Sequence, residues 1–224
     1  MLATAPLSAQ ADCRLALQLG LDVSASVDGA EYQLQLAGLA HALTAPEVVA
    51  GFLAGPGPVA LSIFQWSGRF HQDVMVDWTL VGSEADLHAI AAALARAPRG
   101  AVDMPTGLGH ALGFAADRFG SAPPCLFQTL DISGDGPNND GFPPSAAYAH
   151  FAFDGVTVNG LAIGGASDTI VDYYQTHLLH GPGAFLEYAI SHTDFAPAMR
   201  RKLERELRVL VLGDAAGPKS PARY

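Results

Sequence analysis

Short apolar runs of strand length alternate along the chain with longer segments that repeat their apolar residues every three or four positions. The short runs predict buried β-strands, and the longer segments predict amphipathic α-helices. We therefore predict strands at residues 15–21, 59–66, 73–80, 125–132, 156–163 and 185–190, and helices at 31–44, 47–53, 83–95, 106–119, 144–153, 169–179 and 195–210.

The alternation of strands and helices indicates an α/β fold with a parallel sheet. The strands are almost continuously apolar, so helices should cover both faces of the sheet. Ser67-Gly68 predicts a hairpin between the second and third strands. We expect one doubly wound, mostly parallel, Rossmann-like sheet with one antiparallel edge strand over residues 12–212, and a disordered tail at 213–224. On the closing helix, four basic residues are expected to face solvent: Arg200, Arg201, Lys202 and Arg205.

Charge narrows the classes of function. The 224 residues include 22 acidic and 12 basic side chains, a formal net charge of −10. Such a surface repels phosphate backbones and anionic lipid headgroups, which argues against nucleic-acid and membrane-surface binding. No apolar run reaches the length of about 18 residues that a membrane-spanning helix needs, so we expect no membrane insertion.

The first 11 residues, MLATAPLSAQA, are uncharged and end in Ala9-Gln10-Ala11. This A-x-A pattern is typical of a signal-peptide cleavage site and predicts a signal-peptide remnant at residues 1–11, hence export to the periplasm or secretion. A neutral, disordered tail is the alternative interpretation.

Three loops rich in oxygen-bearing side chains lie where ligands bind in such folds, next to the carboxyl ends of the strands. Asp22, Ser24 and Ser26 follow the first strand, Thr106 opens a helix, and Asp135 follows the strand that starts at Cys125. Two carboxylates and three hydroxyls, with no imidazole or thiolate nearby, suit a hard cation such as Mg²⁺.

These three elements resemble the metal-ion-dependent adhesion site (MIDAS) of von Willebrand factor type A (vWA) domains. The resemblance rests on D-x-S-x-S at 22–26, on the threonine of TGLGHAL at 106–112 and on Asp135-Gly136. It implies that Asp22, Ser24, Ser26, Thr106 and Asp135 hold Mg²⁺ or Mn²⁺. It also implies a protein partner whose acidic side chain completes the coordination of the metal.

A narrower resemblance covers residues 13–207. Segments such as DVSASVDGAEYQLQ (22–35), DISGDGPNNDG (131–141) and FAPAMRRKLEREL (195–207) are similar to an uncharacterised family of exported bacterial proteins, a domain of unknown function. Gln65 stands where that family's pattern suggests an acidic residue. The family resemblance implies the fold, export and a metal, but names no partner.

Cys13 and Cys125 are the two cysteines of the chain. The vWA resemblance implies that the first and fourth strands are parallel neighbours. Cys13 lies nine residues before Asp22 and Cys125 lies ten before Asp135, so the two cysteines should meet at the far edge of the sheet. This predicts a disulfide, and two buried free thiols are the alternative.

The leading functional hypothesis is a binding module and not an enzyme. The chain lacks the P-loop, dinucleotide-binding, nucleophile-elbow and zinc-protease motifs. One alternative is a Mg²⁺-dependent hydrolase with Asp28 or Asp140 as general base, and another is a purely structural metal site. Asp28 is more simply a helix cap, Asp131 a hydrogen-bonded buried carboxylate, and His177 and His180 surface histidines.

Overall fold

The structure is a computed structural model and describes residues 13–164 and 169–214. Six strands alternate with seven α-helices, in agreement with the prediction from the sequence. The strands are β1 (Cys13–Asp22), β2 (Val59–Trp66), β3 (Gln72–Val81), β4 (Cys125–Gly134), β5 (Val156–Ile163) and β6 (Leu186–Ala189). The helices are α1 (Gly29–Leu43), α2 (Pro46–Leu53), α3 (Glu84–Leu94), α4 (Leu108–Phe119), α5 (Pro144–His150), α6 (Thr169–His177) and α7 (Phe195–Asp214).

The six strands form a single sheet in the order β3-β2-β1-β4-β5-β6. All neighbouring pairs are parallel except β2 with β3, which form the predicted antiparallel hairpin at one edge. This is the doubly wound α/β architecture expected from the sequence.

Two apolar cores lie on opposite faces of the sheet. Leu15, Leu17, Leu19 and Leu21 of β1 pack into the core covered by α1, α2, α3 and α7. Ala16 of β1 packs into the second core, which α4, α5 and α6 cover. Because β1 contributes to both cores, all ten of its residues are buried, and its carboxyl end is held in the centre of the molecule.

Three predictions need correction or qualification. Helix α4 begins at Leu108, so Thr106 lies in the preceding loop and not in the helix. Lys202 on α7 is completely buried, whereas the helical pattern predicted that it faces solvent. Helix α7 runs to Asp214, two residues into the predicted tail. The predicted signal-peptide remnant at 1–11 and the rest of the tail, 215–224, lie outside the described residues.

No single helix among the described residues is long and apolar enough to cross a membrane, although α1 and α2 together meet that criterion across a bend of 59°.

Candidate metal centre

Asp22 is the last residue of β1 and is completely buried. One carboxylate oxygen, Oδ1, accepts a hydrogen bond of 2.8 Å from the Ser24 amide. The other, Oδ2, is buried and has no hydrogen-bond partner among the residues that the structure describes. A buried carboxylate oxygen without a partner is costly, so this atom indicates a place for a cation or a hydrogen-bond donor.

The three hydroxyls of the first two loops form one connected group with Asp135 of the third. Ser26 Oγ donates to Asp135 Oδ1 at 2.6 Å, and lies 3.2 Å from Ser24 Oγ. Thr106 Oγ1 donates to Ser24 Oγ at 3.3 Å. The structure therefore brings four of the predicted residues into one hydrogen-bonded chain of oxygens.

Asp22, the fifth predicted residue, interacts electrostatically with this hydrogen-bonded group of oxygens. Burial and, second, the negative charge of Asp135 raise the pKa of Asp22 to about 7, against the partly offsetting hydrogen bonds of Ser24 and of the Asp135 backbone. A carboxylate whose ionised form is disfavoured by burial and by a second carboxylate gains from a cation placed between the two. The five side chains thus fit the oxygen-rich donor set that Mg²⁺ or Mn²⁺ prefers.

Backbone hydrogen bonds hold the first two loops together. The Ala25 amide donates to the Met104 carbonyl at 2.7 Å, next to the loop that carries Thr106. The Gly107 amide donates to the Ser67 carbonyl, also at 2.7 Å, which joins the Thr106 loop to the β2–β3 turn. These bonds fix Ser24 and Thr106 relative to each other.

The segment after Asp135 braces the Thr106 loop. Asn139 Oδ1 accepts from the Thr106 amide at 2.8 Å, and the amides of Asn139 and Asp140 donate to the Thr106 carbonyl. Asp140 also forms an ion pair with Arg69 in the β2–β3 turn. Asn139 and Asp140 therefore hold the Thr106 loop in place.

Arg99 was missed in the sequence analysis. Its guanidinium donates to the carbonyl of Val23 at 3.3 Å, to that of Ser24 at 3.4 Å and to that of Val27. It therefore clamps the backbone of the D-x-S-x-S loop. Nothing in the Pro98-Arg99-Gly100 segment of the sequence predicts this contact. It forms because the loop that carries Arg99 folds back onto the loop after β1.

The remaining acidic candidates have other roles. Asp28 is the N-cap of α1, accepting from the amides of Ala30 at 2.7 Å and Glu31 at 2.8 Å, as the simpler interpretation predicted. Asp131 forms a buried ion pair with Lys202. No group of three or more His, Cys, Asp or Glu side chains within the described ranges could hold a metal ion, so the candidate centre has only its two carboxylates.

The predicted disulfide is present. Cys13 and Cys125 are bonded, with their Cα atoms 4.5 Å apart, and they pair directly in the register of β1 and β4. They lie at the amino ends of these strands, opposite the candidate centre.

Comparison with known proteins identifies the family. A family model described as "Protein of unknown function (DUF1194)" matches residues 12–211. The chain belongs to the DUF1194 family. No curated protein matches the chain.

Solved structures similar to this DUF1194 protein have the vWA fold. Proximal thread matrix protein 1 from the mussel byssus, in a structure with a zinc-occupied MIDAS motif, has a TM-score of 0.60 and 17% identity over 90% of this chain and 48% of its own. A vWA protein from Catenulispora acidiphila has a TM-score of 0.63 and 14% identity over 87% of this chain and 43% of its own. The pilus adhesin SpaC from Lactobacillus rhamnosus GG has a TM-score of 0.59 and 14% identity over 90% of this chain and 31% of its own.

The DUF1194 chain therefore spans less than half the length of these structures. At this level of identity the similarity shows the vWA fold, and it leaves partners and activity to be argued from the site itself.

Proposed function

We propose that this DUF1194 protein is a divalent-metal-dependent protein-binding module. Asp22, Ser24, Ser26, Thr106 and Asp135 hold Mg²⁺ or Mn²⁺, and the acidic side chain of a protein partner takes the remaining position on the ion. The observation that carries the proposal is Asp22 Oδ2, a buried oxygen with no partner among the described residues, next to a second carboxylate and three hydroxyls.

Relatives with the same fold support this proposal. One vWA structure carries zinc in its MIDAS motif, and another belongs to a pilus adhesin. Both features are consistent with a metal-dependent contact to another protein.

The geometry does not favour the hydrolase alternative. A general base near neutral pH needs a carboxylate whose pKa lies close to the working pH. Hydrogen bonds and the charge of Arg69 lower the pKa of Asp140 to about 2, and Asp28 is engaged as a helix cap. Neither residue is suited to accept a proton from water.

The surface beside the site suits a protein partner. Phe70 in the β2–β3 turn is 83% exposed, and its neighbour Arg69 is bonded to Asp140 in the third loop. Gly68 of the same turn lies against Pro105, next to Thr106. An exposed aromatic side chain beside the ion would add apolar contact to the acidic one.

The disulfide supports export. Disulfides persist in oxidising compartments and are rare in the cytosol. We therefore place this protein in the periplasm or outside the cell.

Calorimetric titration of Mg²⁺ and Mn²⁺ into chelator-treated protein tests the metal site. We expect saturable binding at one site in the wild type and none in Asp22→Ala. Asp154→Ala is the matched control, because it removes an exposed carboxylate next to the amino end of β5, away from the site. Absence of binding in the wild type, or equal binding in Asp22→Ala, would overturn the proposal.

Paired peptide arrays test the partner. Each peptide with a central Asp or Glu is matched by one with Asn or Gln, and the arrays are probed in Mg²⁺ and in chelator. We expect signals that need both the metal and the carboxylate. Signals indifferent to either change would contradict binding through the ion.

A further inference from the structure

Tyr174 lies in α6 on the same side of the sheet as α4 and is completely buried. Its hydroxyl oxygen Oη is buried and has no hydrogen-bond partner within residues 13–164 and 169–214. Buried tyrosine hydroxyls usually find a partner, so a second orphaned oxygen beside the candidate centre needs an explanation.

Tyr174 Oη and Asp22 Oδ2 border the same small space. Gly134, the last residue of β4, lies beside both oxygens, and because it has no side chain the space between them stays open. A Cβ placed on Gly134 would overlap Tyr174 Oη and would lie 2.8 Å from Asp22 Oδ2. A glycine therefore leaves open the space in which a phenol donor and a carboxylate acceptor, both unpaired, come together.

We propose that Tyr174 is a positioning residue of the metal centre: in the metal-loaded protein its hydroxyl hydrogen-bonds the Asp22 carboxylate, directly or through one water, and holds it in the orientation that binds the ion. This inference rests on the proposed metal-binding function. It assigns a role in the site to a residue outside the three MIDAS-like loops.

The surroundings keep Tyr174 a donor. Burial, and after it the negative charges of Asp22 and Asp135, raise the pKa of Tyr174 well above its ordinary value. The phenol is therefore neutral near physiological pH and has a proton to share with a carboxylate. Partners that orient a metal-binding side chain commonly change metal affinity by about 10–100-fold when removed.

Tyr174→Phe tests the inference, because it removes only the hydroxyl. The matched control is Tyr148→Phe, which removes a partly buried tyrosine hydroxyl that donates to the Leu178 carbonyl. Tyr148 stacks on His180, whose backbone bridges to Val158 near the amino end of β5, away from the metal centre.

Calorimetric Mg²⁺ and Mn²⁺ affinities are measured for the wild type and both variants. We expect Tyr174→Phe to bind about 10–100-fold more weakly and Tyr148→Phe to match the wild type. Equal affinity in Tyr174→Phe and the wild type would overturn this inference and leave the proposed function standing. No binding in the wild type would overturn both.

Thermal unfolding separates positioning from packing. In chelator, Tyr174→Phe should melt at or above the wild-type temperature, because in the metal-free protein the hydroxyl has no partner among the described residues. In saturating Mg²⁺ it should melt below the wild type, because it gains less from the ion. A drop of equal size in both conditions would show that the hydroxyl only supports the fold and would overturn the inference.

Discussion

Two buried carboxylates of the sheet, Asp22 and Asp131, are compensated in different ways. Asp131 pairs with the buried ammonium of Lys202, which also lies 2.8 Å from Glu206 Oε1. Glu206 in turn accepts from Asn159 Nδ2 at 2.6 Å. Asp22 has hydrogen bonds but no such cation among the residues that the structure describes, so its charge needs a counter-ion from solution. This contrast is why we assign metal binding to Asp22 and a structural role to Asp131.

The raised pKa of Asp22 predicts that metal affinity depends on pH. Its folded pKa, about 7, exceeds the ordinary value of 3.8, so its contribution to stability of the metal-free protein is present below pH 3.8 and is lost as pH rises through 7. Metal binding requires the ionised form. Titrations between pH 5 and 8 should show Mg²⁺ affinity falling by up to about tenfold per pH unit below 7. Constant affinity across this range would contradict the prediction.

Replacing Lys202 tests the structural role that we assign to Asp131. Lys202→Met leaves Asp131 and Glu206 buried without their cation, so the free energy of unfolding should fall by about 3–5 kcal/mol. Arg201→Met is the control, because Arg201 is exposed and pairs with Glu187 on the surface. Its loss should cost less than about 1 kcal/mol in the same urea unfolding experiment. Similar losses in the two variants would show that the buried ion pair contributes no more to the free energy of unfolding than a surface ion pair does.

At the scale of elements, the site follows from how β1 and β4 end. These strands are parallel neighbours, and Leu21 pairs with Ser133 one residue before Asp22 and Gly134. The loops that begin after Asp22 and after Gly134 therefore leave the sheet at the same level. At the other end, the same register places Cys13 opposite Cys125.

The disulfide should stabilise the fold without affecting the metal centre. It joins residues 112 positions apart in the sequence. Replacing both cysteines with alanine should lower the free energy of unfolding by up to about 4–5 kcal/mol, because the unfolded chain gains freedom. Urea unfolding measures this loss, and calorimetry should give an unchanged Mg²⁺ affinity. A large loss of metal affinity in the folded variant would show that the two edges of the sheet are coupled.

At the scale of the molecule, the proposed contacts lie on one edge of an acidic protein. With a net charge of −10, this DUF1194 protein repels acidic partners at long range, and the proposed ion would supply a local positive charge that attracts an acidic side chain. Phe70 lies on the same edge, whereas the partly exposed Phe127 lies near the amino end of β4.

Phe70→Ser should weaken partner binding while leaving the metal site intact. We expect loss of the metal-dependent peptide signals, with Mg²⁺ affinity unchanged, because Phe70 supplies contact area and no metal ligand. Phe127→Ser removes a less exposed ring, 44% against 83% for Phe70, from the opposite edge and should leave the signals unchanged. Equal effects of the two substitutions would argue against a partner surface around Phe70.

Local sequence patterns were sufficient to predict the strands, the helices and their layered arrangement, because periodicity and turn chemistry act over a few positions. They also predicted which loops carry the five oxygen-bearing residues. The bounds of β2 and β5 agree with prediction to the residue. The vWA resemblance added the prediction that β1 and β4 are neighbours, and from this adjacency followed the predicted disulfide. The metal-binding role of the five residues stays a prediction.

Contacts between distant segments depended on packing. The amphipathic pattern of α7 placed Lys202 in solvent, yet it faces Asp131, 71 positions earlier in the chain. Arg99 and Tyr174 reach the site only because their loop and helix fold against it. Such pairings depend on which faces of separate elements meet, and a short-range pattern carries no information about a partner that lies many residues away.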